Sequence, residues 1–327
     1  MKKVVFVAAL GALCPLFPAR AVVLEQKWTA GQQLSYETAL RGTMNVQAPA
    51  NANFPLAGVP LEIEIRGDGL THLQTLSVDE KGVGTVTMRV PQFDLRAQTL
   101  GQKGQILLQN GTSRVTLNGQ PIKFGDGTNP LFTPKTALRI SSQGRVLGVQ
   151  DLQPKTTAAP KKDDKPVAAA QAIDRSALVM ASVIRALPTL WPGRDVQNGE
   201  KWKAEISWPV PSPTDPKKMV PTQFGAWDLT LKGAETVGGK ILQRVGVVGT
   251  LAVDSAQLAP ADAKDAKKPR GKGKQDVKGD VWLDAEAGQV VRADLIVDAR
   301  AEGGKDAASQ AWMDFTGTVQ LNLKGAN

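Results

Sequence analysis

Met313-Asp314-Phe315-Thr316-Gly317-Thr318-Val319-Gln320-Leu321-Asn322-Leu323 alternates apolar and polar residues, with Gly317 as the one gap on the apolar side. Successive side chains of a β-strand point to opposite faces, so this run presents Met313, Phe315, Val319, Leu321 and Leu323 to a core and its polar residues to water. Leu61-Glu62-Ile63-Glu64-Ile65 repeats the pattern, with three apolar side chains on one face and two carboxylates on the other. Shorter β-formers lie between Gly-containing turns at Thr85–Val90, Ile106–Leu108 and Val115–Leu117. Asn118-Gly119 reads as a tight hairpin turn, because both residues tolerate positive φ. Trp227–Leu231, Leu242–Val253, Asp280–Leu283 and Val290–Val297 carry the theme through the C-terminal half.

One segment reads differently. Ile173 to Leu187 contains no Gly or Pro, has Asp174 or Ser176 as N-cap, and stops at Pro188. Ile173, Ala177, Met180, Ala181, Ile184 and Leu187 fall on one stripe at helical spacing, which predicts a core-facing α-helix. The expected fold class is therefore mainly β: a large antiparallel curved sheet, or two similar β-rich lobes, packed around one long α-helix. Trp28 to Leu34 and Val196 to Trp202 are both Gly-led entries to an extended strand. Ile140–Val146 and Leu283–Val290 are similar Gly-containing returns, so a degenerate duplication is one reading. Ordinary antiparallel hairpins are the other.

The chain divides by composition. Residues 1–21 combine Lys2-Lys3, an apolar run from Val4 to Leu13 and Ala19-Arg20-Ala21, the pattern of a secretory signal peptide. The apolar run is far short of the roughly 20 residues that span a bilayer. Cys14 follows Leu13 rather than a small residue, which disfavours a lipoprotein. Residues 22–153 are expected to form an N-terminal β-rich lobe. Residues 154–171, rich in Pro, Ala and Lys, read as a flexible linker. Residues 172–327 comprise the helix and a C-terminal β-rich lobe, interrupted by a basic loop at 259–279 expected to be disordered.

That division relocates the charge. The formal net charge is +9. Lys2, Lys3 and Arg20 lie in the leader, and most of the remaining excess lies in Lys155–Lys165 and Asp262–Asp280. The folded body is close to neutral. A single Cys and a single His exclude a Cys/His zinc site and leave any His-dependent triad dependent on His72. A chain of 327 residues buries about three quarters of its unfolded surface and needs no metal or disulfide staple.

Leu187-Pro188, Val196-Gln197-Asn198-Gly199-Glu200-Lys201-Trp202, Gly238-Gly239, Asp284 and Gly288 together resemble an uncharacterised group of bacterial secreted β-rich proteins. These carry a Val-x-x-Gly-Asp/Glu-x-Trp entry to a β-meander. The resemblance covers roughly residues 173–325 and implies export and a β-rich fold, with no catalytic residue. Gly199 supplies a turn and Trp202 an apolar anchor against the sheet.

No chemistry-bearing constellation emerges. His72 sits in a strand-like run without a nucleophile elbow anywhere in the sequence. Glu62 and Glu64 lie on one face, as the wet side of an amphipathic strand requires. Asp79-Glu80, Asp126 and Asp284 read as turn formers, and Gly67-Asp68-Gly69 and Gly125-Asp126-Gly127 are not phosphate loops. No catalytic, cofactor-binding or metal-binding residue is assigned. Six of seven Trp residues fall in the C-terminal half. Trp191 and Trp208, each beside Pro, are the candidate ligand-binding pair, expected to be exposed. The basic loop 264–274 has no interleaved aromatics, so it offers weak contact with an anionic envelope surface but no specific nucleic-acid platform. The expectation is an exported protein, periplasmic or secreted. Its role would be a non-catalytic envelope binding or carrier protein for an apolar or lipid-like ligand, held on a concave Trp-bearing face. An envelope hydrolase using Asp or Glu, or a structural protein-interaction module, are the alternatives.

Overall fold

The computed structural model describes residues 21–47, 50, 58–109, 112–122, 136–152, 186–212, 219–254, 272–303 and 311–326. The expected leader up to residue 20, the linker 154–171 and residues 259–271 of the basic loop lie outside these. In chain order the strands are β1 (Val22–Leu24), β2 (Gln33–Gln47), β3 (Pro60–Val78), β4 (Gly84–Thr99), β5 (Gln102–Gln109), β6 (Thr112–Leu117), β7 (Gln120–Ile122), β8 (Thr136–Ile140) and β9 (Val146–Asp151). There follow β10 (Arg194–Val196), β11 (Lys201–Pro211), β12 (Met219–Val237), β13 (Lys240–Asp254), β14 (Lys272–Asp284), β15 (Gln289–Gly303) and β16 (Ala311–Ala326).

Fourteen of these form one antiparallel sheet in the order β11-β12-β13-β14-β15-β16-β2-β3-β4-β5-β6-β7, with β8 on the other side of β4's start and β9 on β8. The join between the two halves of the sequence is β16 against β2, where Gly317 pairs with Gly42 and Val319 with Leu40. Lys272–Asp284 is strand, so residues 272–279 of the expected disordered loop are ordered and paired with both neighbours.

The expected long helix is overturned. Among the described residues there is no α-helical element; Ile173–Arg185 lie outside them, and the segment's end is a single 3-10 turn at Leu187–Thr189. Ala186 to Trp191 are all buried, so this stretch has no wet face. Pro188, with its fixed φ and no N–H, suits a tight turn and not a helix interior. Among the described residues the sheet's apolar face packs largely against itself. β9 comes alongside β12, which turns β12 through β4, with β8 and β9, into a barrel-like circuit.

Curvature enters where the pairing slips. Bulges between Leu231 and Gly233, Trp282 and Leu283, Leu323 and Gly325, and Leu70 and His72 fall on one cross-strand row. Each inserts residues on one side of a ladder and increases twist, so together they crease the sheet along a line. Proline keeps to permissive places: Pro91 at a bulge, Pro60 at a strand start, and Pro209 and Pro211 in the edge strand β11.

On the dry face a single apolar cluster runs from Ile206 and Trp227 through Val247, Val281, Leu295, Val319 and Leu40 to Ile65, Phe93 and Ile106. Tyr36 belongs to it and donates its hydroxyl to the Val290 carbonyl at 3.0 Å; full burial pushes its phenol pKa upward. The wet face carries paired charges. Burial opposes ionisation of Asp280 and Asp94, yet bonds from Arg244 and Lys232, and from Arg96 and Gln105, hold both carboxyls below the usual range. Asp79 is held low by the backbone N–H groups of Val83 and Lys81, Glu200 by that of Gln197, and Asp276 by Lys274. A carboxyl with a lowered folded pKa stabilises the fold above its unfolded pKa of about 4, and that contribution is lost as pH falls through the folded value. Thermal unfolding between pH 7 and pH 2.5 is therefore expected to show a melting temperature that drops steeply below about pH 4. Asp280→Asn should cost about 1–3 kcal/mol at neutral pH and make that acid slope shallower.

Candidate functional site: a plugged base and an apolar mouth

The two ends of the barrel-like sheet differ. At one end, the base, β3 turns to β4, β12 to β13 and β14 to β15 through short connections. There β1 pairs with β10, and Gln26 ties the plug to two turns, its backbone N–H donating to Ser142 and its side chain to the Gly288 carbonyl. Gly193 N–H donates to Leu24, and Lys27 Nζ to the Glu286 carbonyl. Trp28 lies against Gly84, where a Cβ would come within 2.6 Å of its ring.

The Val196–Trp202 entry fastens this plug to the sheet. Gly199 takes φ +84°, its N–H donates to Leu231, and Leu231 N–H donates back to Glu200. Glu200 accepts from the Gln197 N–H and pairs with Arg194. Trp202 is buried and donates its indole N–H to the Leu190 carbonyl at 2.9 Å. The first entry repeats this wiring: Gly31 takes φ +80°, its N–H donates to Thr75, and Thr75 N–H donates to Gln32. The two Gly-led stretches of sequence thus make the same backbone bonds at the same end of the sheet.

At the opposite end, the mouth, Gln47 pairs with Pro60, Thr99 with Gln102, Asp254 with Lys272 and Gly303 with Ala311. Inward-facing residues are tightly buried from Leu283 and Leu321 up to Met44 and Met313, then become half-buried at Val46, Leu61, Ile63, Ala97 and Ala301. Leu117, on the same face, is 40% exposed.

Between base and mouth lies a belt of glycines. Gly42, Gly317, Gly67, Gly69 and Gly249 all face inward, and aromatic rings fold onto them. A Cβ built at Gly42 would meet Phe315 Cε2 at 2.9 Å, one at Gly317 would meet Phe315 Cζ at 2.6 Å, and one at Gly67 would meet Phe93 Cζ at 2.5 Å. Trp227 covers Gly249 in the same way. Phe315, Phe93 and Trp227 therefore lie along the wall. The inner face is apolar, and it offers no pair of carboxylates aimed inward among the described residues.

Trp191 is 1% exposed, part of the base plug, and not the surface residue its Pro neighbour suggested. Trp208 lies in β11 opposite Thr222, and its side chain is outside the described residues. Trp202 and Trp227 join the core, and Trp282 sits on the wet face between Arg244 and Arg292, at 5.5 and 4.8 Å from their guanidinium carbons. His72 faces outward in β3 between Ser35 and Arg89; burial, then the Arg89 charge, holds its pKa below the ordinary value. Glu62 and Glu64 are exposed, and Glu64 is bound to Arg66. No group of three His, Cys, Asp or Glu among the described residues could hold a metal ion, and no helix among them is long and apolar enough to cross a membrane.

What sequence reasoning missed is the glycine belt and the mouth. Gly317 was visible as a gap in an alternating strand, but the ring that fills it comes from Phe315 and the partner glycine from β2.

No protein-family model matches the chain, and no curated protein matches it. Among solved structures, lipovitellin, in a study of its lipid–protein interactions, aligns over 91% of this chain at 9% identity with a TM-score of 0.38. The chain spans about a quarter of the lipovitellin chain, 26%. OccK7 (OpdD) of Pseudomonas aeruginosa aligns over 91% of this chain and 99% of its own at 10% identity, with a TM-score of 0.23.

Proposed function

We propose that this protein is a non-catalytic, exported carrier that takes an apolar or lipid-like molecule through the mouth and holds it against the dry face of the sheet. The observation that supports this most is the interior itself: one apolar cluster spanning both halves of the chain, closed at the base by a hydrogen-bonded plug, with burial falling off only towards the mouth. A ten-element circuit is wider than the roughly eight strands whose side chains just fill a barrel. Rings folded onto glycine leave the inner face apolar, which is the usual character of a small-molecule site. The carboxylates on the wet face, by contrast, are engaged by Arg and Lys, which suits a stabilising role better than hydrolysis.

The test is mass spectrometry of organic extracts from the protein purified out of its own cells. A defined apolar species at near-stoichiometric amount is expected, and background lipid alone would end the carrier reading. Ile63→Glu places a carboxylate in the mouth, where an apolar ligand would have to desolvate it. Retained ligand should then fall about tenfold, equivalent to roughly 1.4 kcal/mol, with the fold intact by circular dichroism.

A further inference from the structure

The strands that flare beyond the barrel at the mouth, β3 to β6, form a groove of about 520 Å³ on their wet face. Arg66, Arg96, Lys103, Gln105 and Thr116 line it together with Glu64. Arg66 and Arg96 are direct cross-strand partners. Like charges in that position repel and weaken a sheet. Each is turned by a carboxylate two residues earlier on its own strand. Glu64 Oε1 accepts from Arg66 Nε and Nη2 at 2.9 and 2.6 Å, and Asp94 Oδ2 accepts from Arg96 Nε and Nη2 at 3.1 and 2.7 Å. In both cases one carboxylate oxygen takes one edge of the guanidinium and leaves Nη1 without an acceptor among the described residues. Asp94 is further fixed by Gln105 Nε2 at 2.8 Å, and Lys103, exposed on β5, has no acidic partner among the described residues.

We propose that this groove is a binding site for a phosphate group, held by the free edges of Arg66 and Arg96 and by Lys103. Planar guanidinium groups fixed side-on by a carboxylate are pre-organised donors for a tetrahedral oxyanion, and an ammonium beside them adds a point charge. The anion would add a further counter-charge between Arg66 and Arg96, which stand directly opposite each other. The phosphate could be carried by a soluble molecule or by a lipid headgroup at a bilayer surface, and the turn joining β4 to β5 distinguishes the two. Leu100 at its tip is 76% exposed and takes φ +44°, with Gly101 at +76°. The neighbouring turn has the same conformation with Asn118-Gly119, at φ +50° and +79°, and Asn is a residue that tolerates it. Leucine fits neither the backbone nor the water at that tip, but it suits contact with acyl chains beside a headgroup held in the groove. This site lies on the face opposite the apolar interior and does not depend on the carrier reading.

Binding of inorganic phosphate is measured by isothermal titration at low ionic strength, and binding to phosphatidylglycerol/phosphatidylcholine vesicles by co-sedimentation. The proteins compared are the full chain, Arg66→Gln/Arg96→Gln, Lys103→Gln and Leu100→Asn. The double Arg variant is expected to weaken whichever ligand binds by tenfold or more, and Lys103→Gln by a few fold. Leu100→Asn should spare inorganic phosphate but reduce vesicle binding if the phosphate is a headgroup's, with a melting temperature no lower than that of the parent. Phosphate binding lost with the double variant supports a soluble source, and vesicle binding lost with both the double variant and Leu100→Asn supports a bilayer. If neither ligand binds, or if binding survives in a folded double variant and in Lys103→Gln, the site is disproved. Apolar cargo measured in the same double variant should be unchanged, which separates this result from a failure of the carrier reading.

Discussion

Trp227→Ala is expected to lower the free energy of unfolding by about 3–5 kcal/mol, among the largest effects of a single truncation in this chain. Trp227 is fully buried in β12, and its ring fills the space over Gly249 on the adjacent strand β13. Deleting it removes the transfer energy of the indole and opens a cavity beside a residue that has no side chain to fill it. The hydrogen-bonded ladders on both sides of β12 prevent the wall from collapsing inward. Trp227→Phe should cost about 1–3 kcal/mol less than that, because the indole N–H of Trp227 has no hydrogen-bond partner among the described residues and only volume is lost. Urea titrations of the three proteins check this. An alanine variant within 1 kcal/mol of the parent would mean that the ring does not pack against this wall.

Gly42→Val is expected to cost about 3 kcal/mol or more, or to prevent folding. A Cβ there would lie 2.5 Å from the Thr316 carbonyl oxygen and 2.8 Å from Gly317 Cα, both backbone atoms of β16. Backbone cannot swing aside as a side chain can, so β2 and β16 must separate, and these are the strands that join the two halves of the sheet. Gly67→Ala provides the contrast. The atoms nearest its new methyl belong to side chains, Phe93 Cζ at 2.5 Å and Leu95 Cδ1 at 3.3 Å. Phe93 can rotate off the wall, so the loss should stay near 1–2 kcal/mol, while on the carrier reading the displaced ring should lower the amount of apolar ligand extracted. Thermal denaturation together with the lipid extraction separates the two outcomes: Gly42→Val acts on the fold, and Gly67→Ala acts mainly on the interior.

Strand alternation was legible because it is a local property. Which face of Leu61–Ile65 or Met313–Leu323 is dry depends only on period-two geometry, and the buried and exposed residues fall as the sequence predicts. Hairpin turns such as Asn118-Gly119 were equally local, since positive φ is restricted to a few residue types. The helix failed for the complementary reason. The stripe's described end, Leu187, lies in a 3-10 turn inside Ala186–Trp191, a stretch that is buried throughout because it plugs the base, and spacing alone does not tell such a buried turn from a helix with one wet face. Trp191 and Trp282 show the same limit. Trp191 stands beside Pro in the sequence yet is buried as part of the plug, and Trp282 is clasped between two arginines from neighbouring strands.

By itself, the sequence determined a mainly β chain with one dry face, the positions of its tight turns, and a folded body whose charges nearly balance. Those follow from side-chain chemistry acting over a few residues. Only the tertiary structure decided that β16 closes on β2, that a row of bulges creases one continuous sheet, and that Phe315, Phe93 and Trp227 lie over glycines contributed by other strands. It also decided that two arginines 30 residues apart in sequence stand opposite each other above one groove. Register between distant strands is set by the summed packing of all the faces at once, and no local stretch of sequence carries that sum.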